Sequence, residues 1–66
     1  MALVTNMREH RAKFNMTQDD LASFVGVRRE TIVNLENGRY NPSLKLAMDI
    51  ANVFSCTVEE LFRFTD

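Results

Sequence analysis

The stretch from Thr17 to Gly38 constrains the fold most, because it encodes two short helices with a sharp turn between them. Thr17 is a good helix N-cap, and the two aspartates that follow Gln18 place negative charge where the helix dipole favours it. Gly26 follows the apolar positions of this helix and can adopt the positive φ at which a helix stops and the chain turns. The pattern therefore predicts a first helix that ends at Gly26 and a second helix from about Arg28 to Asn37.

The second of these helices has two different faces. Ile32 and Leu35 are spaced to lie against a core, whereas a mostly polar row faces elsewhere. This row consists of Arg28, Arg29, Glu30, Val33 and Asn34. Small proteins use two helices with a tight turn to place one helix in the major groove of DNA, and these side chains suit base edges. We therefore expect a protein that binds double-stranded DNA.

Three further helices are predicted around this pair. Helical periodicity indicates an opening helix from Asn6 to Phe14, which ends at Asn15 in the left-handed conformation. Ser43 is placed to cap a fourth helix. The broad apolar face of that helix consists of Leu44, Ala47, Ile50, Ala51 and Phe54. Thr57 and Glu60 form a capping box for a last short helix. The predicted fold is all-α, with five helices in one domain over residues 1–66.

The two chain ends leave alternatives open. Leu3-Val4-Thr5 and Phe62-Arg63-Phe64 are short, apolar and partly alternating, as extended segments are. Either they pair as a two-stranded antiparallel ribbon, or they are irregular ends. Such a ribbon is only marginally stable alone and needs the helices or a second subunit behind it.

Size and composition exclude several classes of protein. A chain of 66 residues buries only roughly 60% of its unfolded surface, which favours one small domain. The single Cys56 excludes an internal disulfide, and it forms no recognised zinc spacing with the single His10, so we expect no metal or cofactor. No apolar run approaches the roughly 20 residues that span a membrane. We expect a cytoplasmic protein with no membrane role.

The charge of the chain is unevenly distributed. The formal net charge of −1 and the pI near 5.7 weigh against nucleic-acid binding, whose usual signature is a basic surface. The part up to Arg39 carries +1, however, and the part after it carries −2. Because salt screens charges over about 8 to 10 Å, binding depends on the charges near the phosphates. A distant acidic face weakens DNA binding without preventing it.

A family pattern is present at Gln18, Ala22, Gly26, Ile32 and Leu35, followed by LENGRYNPSLKLAMDIA and TVEELF. This pattern resembles the lambda-repressor-like helix-turn-helix transcriptional regulators, also called the xenobiotic-response-element family. The likeness runs from about Met7 to Phe62, and in length the chain is similar to the small stand-alone type represented by the cytolysin repressor. It implies a compact five-helix DNA-binding domain, with the motif at about residues 17–37 and the recognition helix at about 28–37.

The resemblance implies that the first residues of the recognition helix contact bases. They are Arg28, Arg29, Glu30, Val33 and Asn34. Arginine matches the two acceptors of guanine, asparagine pairs with adenine, and valine contacts the thymine methyl group. Glu30 either accepts from cytosine or orients an arginine. Many relatives have serine where Arg28 stands, so a usual helix cap is lost, and Arg28 contacts either a base or a phosphate.

The resemblance also implies phosphate contacts, which position the protein on DNA and carry no sequence information directly. The residues expected to make them are Gln18, Asn37, Arg39, Tyr40 and Asn41. It further implies a structural ion pair between Arg11 and Glu36 beneath the motif. The alternative for this pair is two surface charges worth under about 1 kcal/mol.

These features favour a prokaryotic, archaeal or phage transcription regulator, acting as a repressor that binds a palindromic operator as a homodimer. Two recognition helices related by a two-fold axis contact half-sites roughly 34 Å apart. The candidate dimer interface is the apolar C-terminal end. Its candidate residues are Val58, Leu61, Phe62 and Phe64. The alternative is that these residues pack into the core of their own chain.

Two other classes of protein are alternatives to this hypothesis. An antitoxin or other protein-binding module, which binds DNA mainly with a partner, is consistent with the acidic second half. An enzyme is disfavoured, because the sequence has no Ser-His-Asp set, no glycine-rich phosphate loop and no metal constellation. No small-molecule effector is evident. His10 and Cys56 are expected to pack as partly buried residues, since a buried thiol behaves as a small hydrophobe.

Overall fold

Five short helices and a two-stranded ribbon make up the computed structural model, which describes residues 1–66. The elements in chain order are β1 (Ala2–Thr5), α1 (Met7–Lys13), α2 (Gln18–Val25), α3 (Arg29–Glu36), α4 (Leu44–Val53), α5 (Val58–Leu61) and β2 (Phe62–Thr65). The predicted five-helix fold is confirmed. Of the two alternatives for the chain ends, the structure has the two-stranded antiparallel ribbon and not irregular ends.

Local signals in the sequence explain where the helices begin and end. The Thr17 and Thr57 side chains accept hydrogen bonds in complete capping boxes at the starts of α2 and α5. Ser43 caps α4 by accepting from the backbone N–H of Leu46. Gly26 has φ +73°, and its backbone N–H closes the end of α2. These predicted caps and the predicted turn are confirmed, while α1 and α3 are one residue shorter at each end than the sequence suggested.

The ribbon joins the beginning of the chain to its end. β1 and β2 are antiparallel, with Leu3 opposite Phe64 and Thr5 opposite Phe62. Asn6 ties this pair to α5, because its backbone N–H donates to the Leu61 carbonyl at 2.9 Å and its Nδ2 donates to the Glu60 carbonyl at 2.9 Å. The helices therefore support a ribbon that would be marginally stable alone.

One apolar core holds the helices together. Its fully buried large side chains are Met7, Leu21, Ile32, Leu35, Ile50 and Leu61. Ala22 of α2 is also buried within this core. Because α3 turns Ile32 and Leu35 inward, its opposite face is directed away from the core. No helix combines the length and the apolar character that crossing a membrane requires.

The exposure of three apolar residues bears on the core and on the candidate dimer interface. Leu44, expected on the buried face of α4, is 73% exposed, because it is the first residue of the helix and nothing covers it. Phe14, at the end of α1, is 47% exposed, and its ring packs against Phe54 at 5.7 Å between centroids. Leu61, a candidate interface residue, is 1% exposed within the core. Its side chain is therefore not available to a second subunit.

Candidate nucleic-acid interface

The outward face of α3 carries the residues that the sequence predicted to contact bases. Arg28, Arg29 and Glu30 are exposed, and Val33 and Asn34 are half-buried. Positions 29, 30, 33 and 34 share one helix face, since residues four apart are neighbours on a helix. Arg28 is the N-cap, with extended backbone and no capping hydrogen bond from its side chain. The structure therefore brings these five residues together at the start and along one side of α3.

Arg29 is held by a residue of the preceding helix. Its Nη2 donates to Gln18 Oε1 at 3.2 Å, and Gln18 Nε2 in turn donates to Glu36 Oε1 at 3.1 Å. The bond to Glu36 sets which end of the Gln18 amide faces Arg29, because only its oxygen can accept. The guanidinium still has donors free for a ligand.

An ion pair between Arg11 and Glu36 lies beneath α2 and α3. Arg11 Nε is 2.6 Å from Glu36 Oε2, and Arg11 Nη2 is 3.1 Å from Glu36 Oε1. The Glu36 side chain is 1% exposed and that of Arg11 is 16% exposed. Arg11 Nη1 also donates to the Met16 carbonyl at 3.1 Å. The bidentate ion pair and the bond to Met16 together join α1, the segment before α2 and the end of α3.

The surroundings of Glu36 stabilise its charged form. Burial alone would raise the pKa of Glu36, but hydrogen bonds from Arg11 and Gln18 and the charge of Arg11 hold that pKa below its ordinary value. A carboxylate that accepts several charge-assisted hydrogen bonds is favoured over the protonated acid in this way. Glu36 therefore stays ionised and anchors Gln18 from below.

Arg8 belongs to the same surface, and the sequence reasoning missed it. Its Nε is 3.5 Å from Glu36 Oε1, and its side chain is 65% exposed. It lines a shallow polar cleft of about 570 Å³, together with Arg11, Met16, Thr17, Gln18, Asp19 and Arg29. The signal was its position three residues before Arg11, which places both arginines on one face of α1.

The residues expected to contact phosphate lie in two places. Gln18 is the first residue of α2, whereas Asn37, Arg39, Tyr40 and Asn41 follow α3 and are exposed. The backbone N–H of Arg39 donates to the Asn34 carbonyl at 2.9 Å, so this segment turns back against α3. Gln18 contacts Arg29 and Glu36, and Asn37 accepts from Arg8, which lines the same cleft as Gln18.

Hydrogen-bond donors dominate this combined surface. Arg8, Arg28, Arg29 and Arg39 are all exposed, and a guanidinium group can only donate. Phosphate oxygens and the major-groove edge of guanine present acceptors. Asp19 of the cleft and Glu30 of the row are exposed acids on this surface, whereas the acidic residues of α4, α5 and the chain end lie on other elements. The local chemistry therefore suits a nucleic-acid duplex, in spite of the negative total charge.

Known proteins are similar to this chain in sequence and in fold. A family model described as Helix-turn-helix matches residues 7–61. An HTH-type transcriptional regulator of Archaeoglobus fulgidus is 63% identical over 62 residues, which are 94% of this chain and 87% of that protein. Another, from Methanocaldococcus jannaschii, is 47% identical over 60 residues, or 91% of either chain. The restriction-modification controller protein C.AhdI from Aeromonas hydrophila superimposes with a TM-score of 0.74 at 28% identity over 82% of either chain.

Proposed function

The chain belongs to the helix-turn-helix family of DNA-binding transcription regulators, and we propose that it is a cytoplasmic repressor that binds a palindromic operator as a homodimer. The family and its relatives are regulators and not enzymes. In this proposal residues 1–66 act as one DNA-binding domain, α3 enters the major groove, and the bound dimer blocks polymerase. The observation that carries the proposal is the exposed, arginine-led face of α3 opposite its buried side.

Base recognition is assigned to the row on α3. Arg29 donates to guanine, Asn34 pairs with adenine and Val33 contacts a thymine methyl group. Arg28 contacts a base or the adjacent phosphate, and Glu30 accepts from cytosine or orients an arginine. The bond from Arg29 to Gln18 supports this assignment, because it restricts the guanidinium before DNA arrives. Less side-chain entropy is then lost on binding.

Phosphate contacts are assigned to Gln18 and to the segment that follows α3. Gln18 uses one amide N–H for Glu36 and has a second N–H for a phosphate. Asn37, Arg39, Tyr40 and Asn41 offer exposed donors in the segment that follows α3. Contacts from these residues position α3 on the DNA and carry no sequence information directly.

An apolar groove beside the ribbon supports the homodimer. It has a volume of about 280 Å³ and is lined mainly by Leu3, Pro42, Leu44, Val58, Phe62 and Phe64. Leu44 is 73% exposed and Phe64 is 51% exposed, which leaves large apolar side chains in water. Covering them with the same patch of a second copy fits a two-fold interface, in which one surface meets itself. The proposed interface therefore uses Val58, Phe62 and Phe64 without Leu61.

DNA recognition is tested by selecting operators from a random duplex pool and measuring affinity by fluorescence anisotropy. Arg29→Ala should weaken binding to the selected operator about 5- to 150-fold and relax preference at one or two positions. Arg39→Ala should weaken binding to all sequences alike and lower the slope of affinity against salt by about 1. Arg63→Ala, which removes a charge from the ribbon, is the control and should change little.

Two outcomes would contradict this assignment. If Arg39→Ala altered base preference and Arg29→Ala weakened all duplexes alike, the roles of the two arginines would be reversed. If the purified chain preferred no sequence without a second protein, the antitoxin alternative would be favoured.

The dimer is tested by sedimentation velocity. The wild type should sediment at twice the chain mass of 7.6 kDa. Phe64→Ser should shift it toward monomer, whereas Phe24→Ser, which changes a 67% exposed phenylalanine outside the groove, should not. A wild type that stays monomeric at high concentration would overturn the proposal.

A further inference from the structure

Three potential metal ligands meet on the side of the molecule formed by α1 and α5. They are His10 of α1, Cys56 just before α5, and Glu60 of α5, and one ligand atom from each lies within 4.8 Å of the other two. These residues line neither the polar cleft nor the apolar groove. Because His10 and Cys56 are 46 positions apart, no recognised zinc spacing was visible in the sequence.

His10 already has the hydrogen bond that metal-binding histidines commonly use. Its Nδ1 is 2.9 Å from the backbone carbonyl of Asn6. A carbonyl only accepts, so Nδ1 carries the proton and Nε2 has the free lone pair. The Phe54 ring, 5.5 Å away between centroids, packs beside the imidazole. A backbone partner of this kind sets the tautomer and ring orientation of a ligating histidine.

Hydrogen bonds to the end of α4 and within the cap of α5 position the other two residues. The Cys56 backbone N–H donates to the Ala51 carbonyl at 3.0 Å. Glu60 Oε1 accepts from the Thr57 hydroxyl at 3.1 Å and lies 3.4 Å from the Thr57 backbone N–H, as part of the capping box. Glu60 Oε2 has no such partner. The cap thus restrains the carboxylate without using both of its oxygens.

Imidazole nitrogen, sulfur and carboxylate oxygen together suit Zn²⁺, whereas Ca²⁺ and Mg²⁺ prefer oxygen ligands alone. Tetrahedral ligands of Zn²⁺ are about 3.6 Å apart, so ligand atoms that lie within 4.8 Å of one another need to close by at most about 1 Å. Glu60 is exposed and Cys56 is half-buried, which allows both movement and entry of an ion. We propose that His10 Nε2, Cys56 Sγ and Glu60 Oε2 bind one Zn²⁺ ion, with water in the fourth position.

Binding there would cross-link the first helix to the last one. The backbone between them is already joined, since Asn6 donates to the Glu60 and Leu61 carbonyls. A ligand that binds only the folded state raises its stability in proportion to the logarithm of ligand concentration. The ion therefore tightens the junction from which both strands of the ribbon leave.

The test is a Co²⁺ titration of the reduced full chain, followed by absorption spectroscopy. One equivalent should produce a thiolate-to-cobalt charge-transfer band with the intense visible bands of a tetrahedral site, and Zn²⁺ should abolish both. Zn²⁺ at 100 times its Kd should raise the Tm by about 10 °C or more. No charge-transfer band, or no change in Tm, would overturn the proposal.

Variants identify the ligands. Cys56→Ser should remove the charge-transfer band, and His10→Gln and Glu60→Gln should each weaken Co²⁺ binding at least tenfold. Glu60→Gln keeps the capping box, because glutamine serves at that position as well. Glu59→Gln is the matched control and should leave affinity within about twofold. Circular dichroism should show that each variant is folded. Equal Co²⁺ affinity of wild type, His10→Gln and Glu60→Gln would show that Cys56 binds the ion without His10 and Glu60. That result would overturn the proposed three-residue site.

Discussion

Removing the Glu36 carboxylate should destabilise the fold far more than removing an exposed acid. Four donor groups of Arg11, Gln18 and Arg8 lie within 3.5 Å of its oxygens, and the side chain is 1% exposed. In Glu36→Ala the guanidinium of Arg11 loses its counter-charge, although the Arg11 side chain, 16% exposed when Glu36 is present, lies in a largely buried position. It keeps one hydrogen bond, to the Met16 carbonyl.

The structure sets the expected magnitude. Breaking a buried ion pair costs about 3 to 5 kcal/mol. The partial exposure of Arg11 and its bond to Met16 point to the lower end, so Glu36→Ala should cost about 3 kcal/mol. A chain of this size has a total stability of only about 3 to 10 kcal/mol. The expected fall in Tm is about 12 to 24 °C.

Urea and thermal denaturation followed by circular dichroism measure this effect. Asp49→Asn is the control, because Lys45 and Asp49 pair at 2.7 Å with side chains that are 86% and 35% exposed. That change should cost no more than about 0.5 kcal/mol. A double-mutant cycle with Arg11→Met and Glu36→Gln isolates the pairwise term. A loss below about 1 kcal/mol for Glu36→Ala would refute the reasoning, since that is the value of a surface pair.

Four further results are expected. Gly26→Ala should lower the free energy of unfolding by about 1 to 2 kcal/mol because of its positive φ. Gly38→Ala should lower the free energy of unfolding more than Gly26→Ala does, since the new Cβ would also lie 2.5 Å from the Leu3 carbonyl oxygen. Equal urea midpoints for the two variants would contradict this. Arg28→Ser should supply the missing N-cap and raise stability by about 0.5 to 2 kcal/mol, while operator affinity falls in anisotropy titrations. Because the folded pKa of Glu36 lies below the ordinary 4.5, its stabilisation is present above pH 4.5 and lost as pH falls through the folded pKa. Urea titrations from pH 6 to 3 should show this loss, and Glu36→Gln should reduce it.

The helix boundaries were predictable from the sequence because they depend on contacts within three or four residues. Thr17, Ser43 and Thr57 each cap a helix by accepting from the residue three positions later. Gly26 ends α2 through its own backbone conformation. The spacing of Ile32 and Leu35 likewise sets which side of α3 is buried, so the opposite side follows.

Burial at the ends of elements was less predictable. Leu44 and Leu61 have similar apolar side chains near helix ends, yet one is 73% exposed and the other 1%. The difference depends on which elements cover each position, and a local pattern contains no such information. Pairing of the strands was open for the same reason, since β1 and β2 lie at opposite ends of the chain.

The sequence by itself determined five helices, their caps, the turn at Gly26 and an outward row on α3, because these rest on short-range hydrogen bonding and periodicity. Only the tertiary structure decided that Gln18 joins Glu36 to Arg29 and that His10 meets Cys56 and Glu60. These sets assemble from residues far apart in the chain, and their distances are set by how the helices pack around the common core.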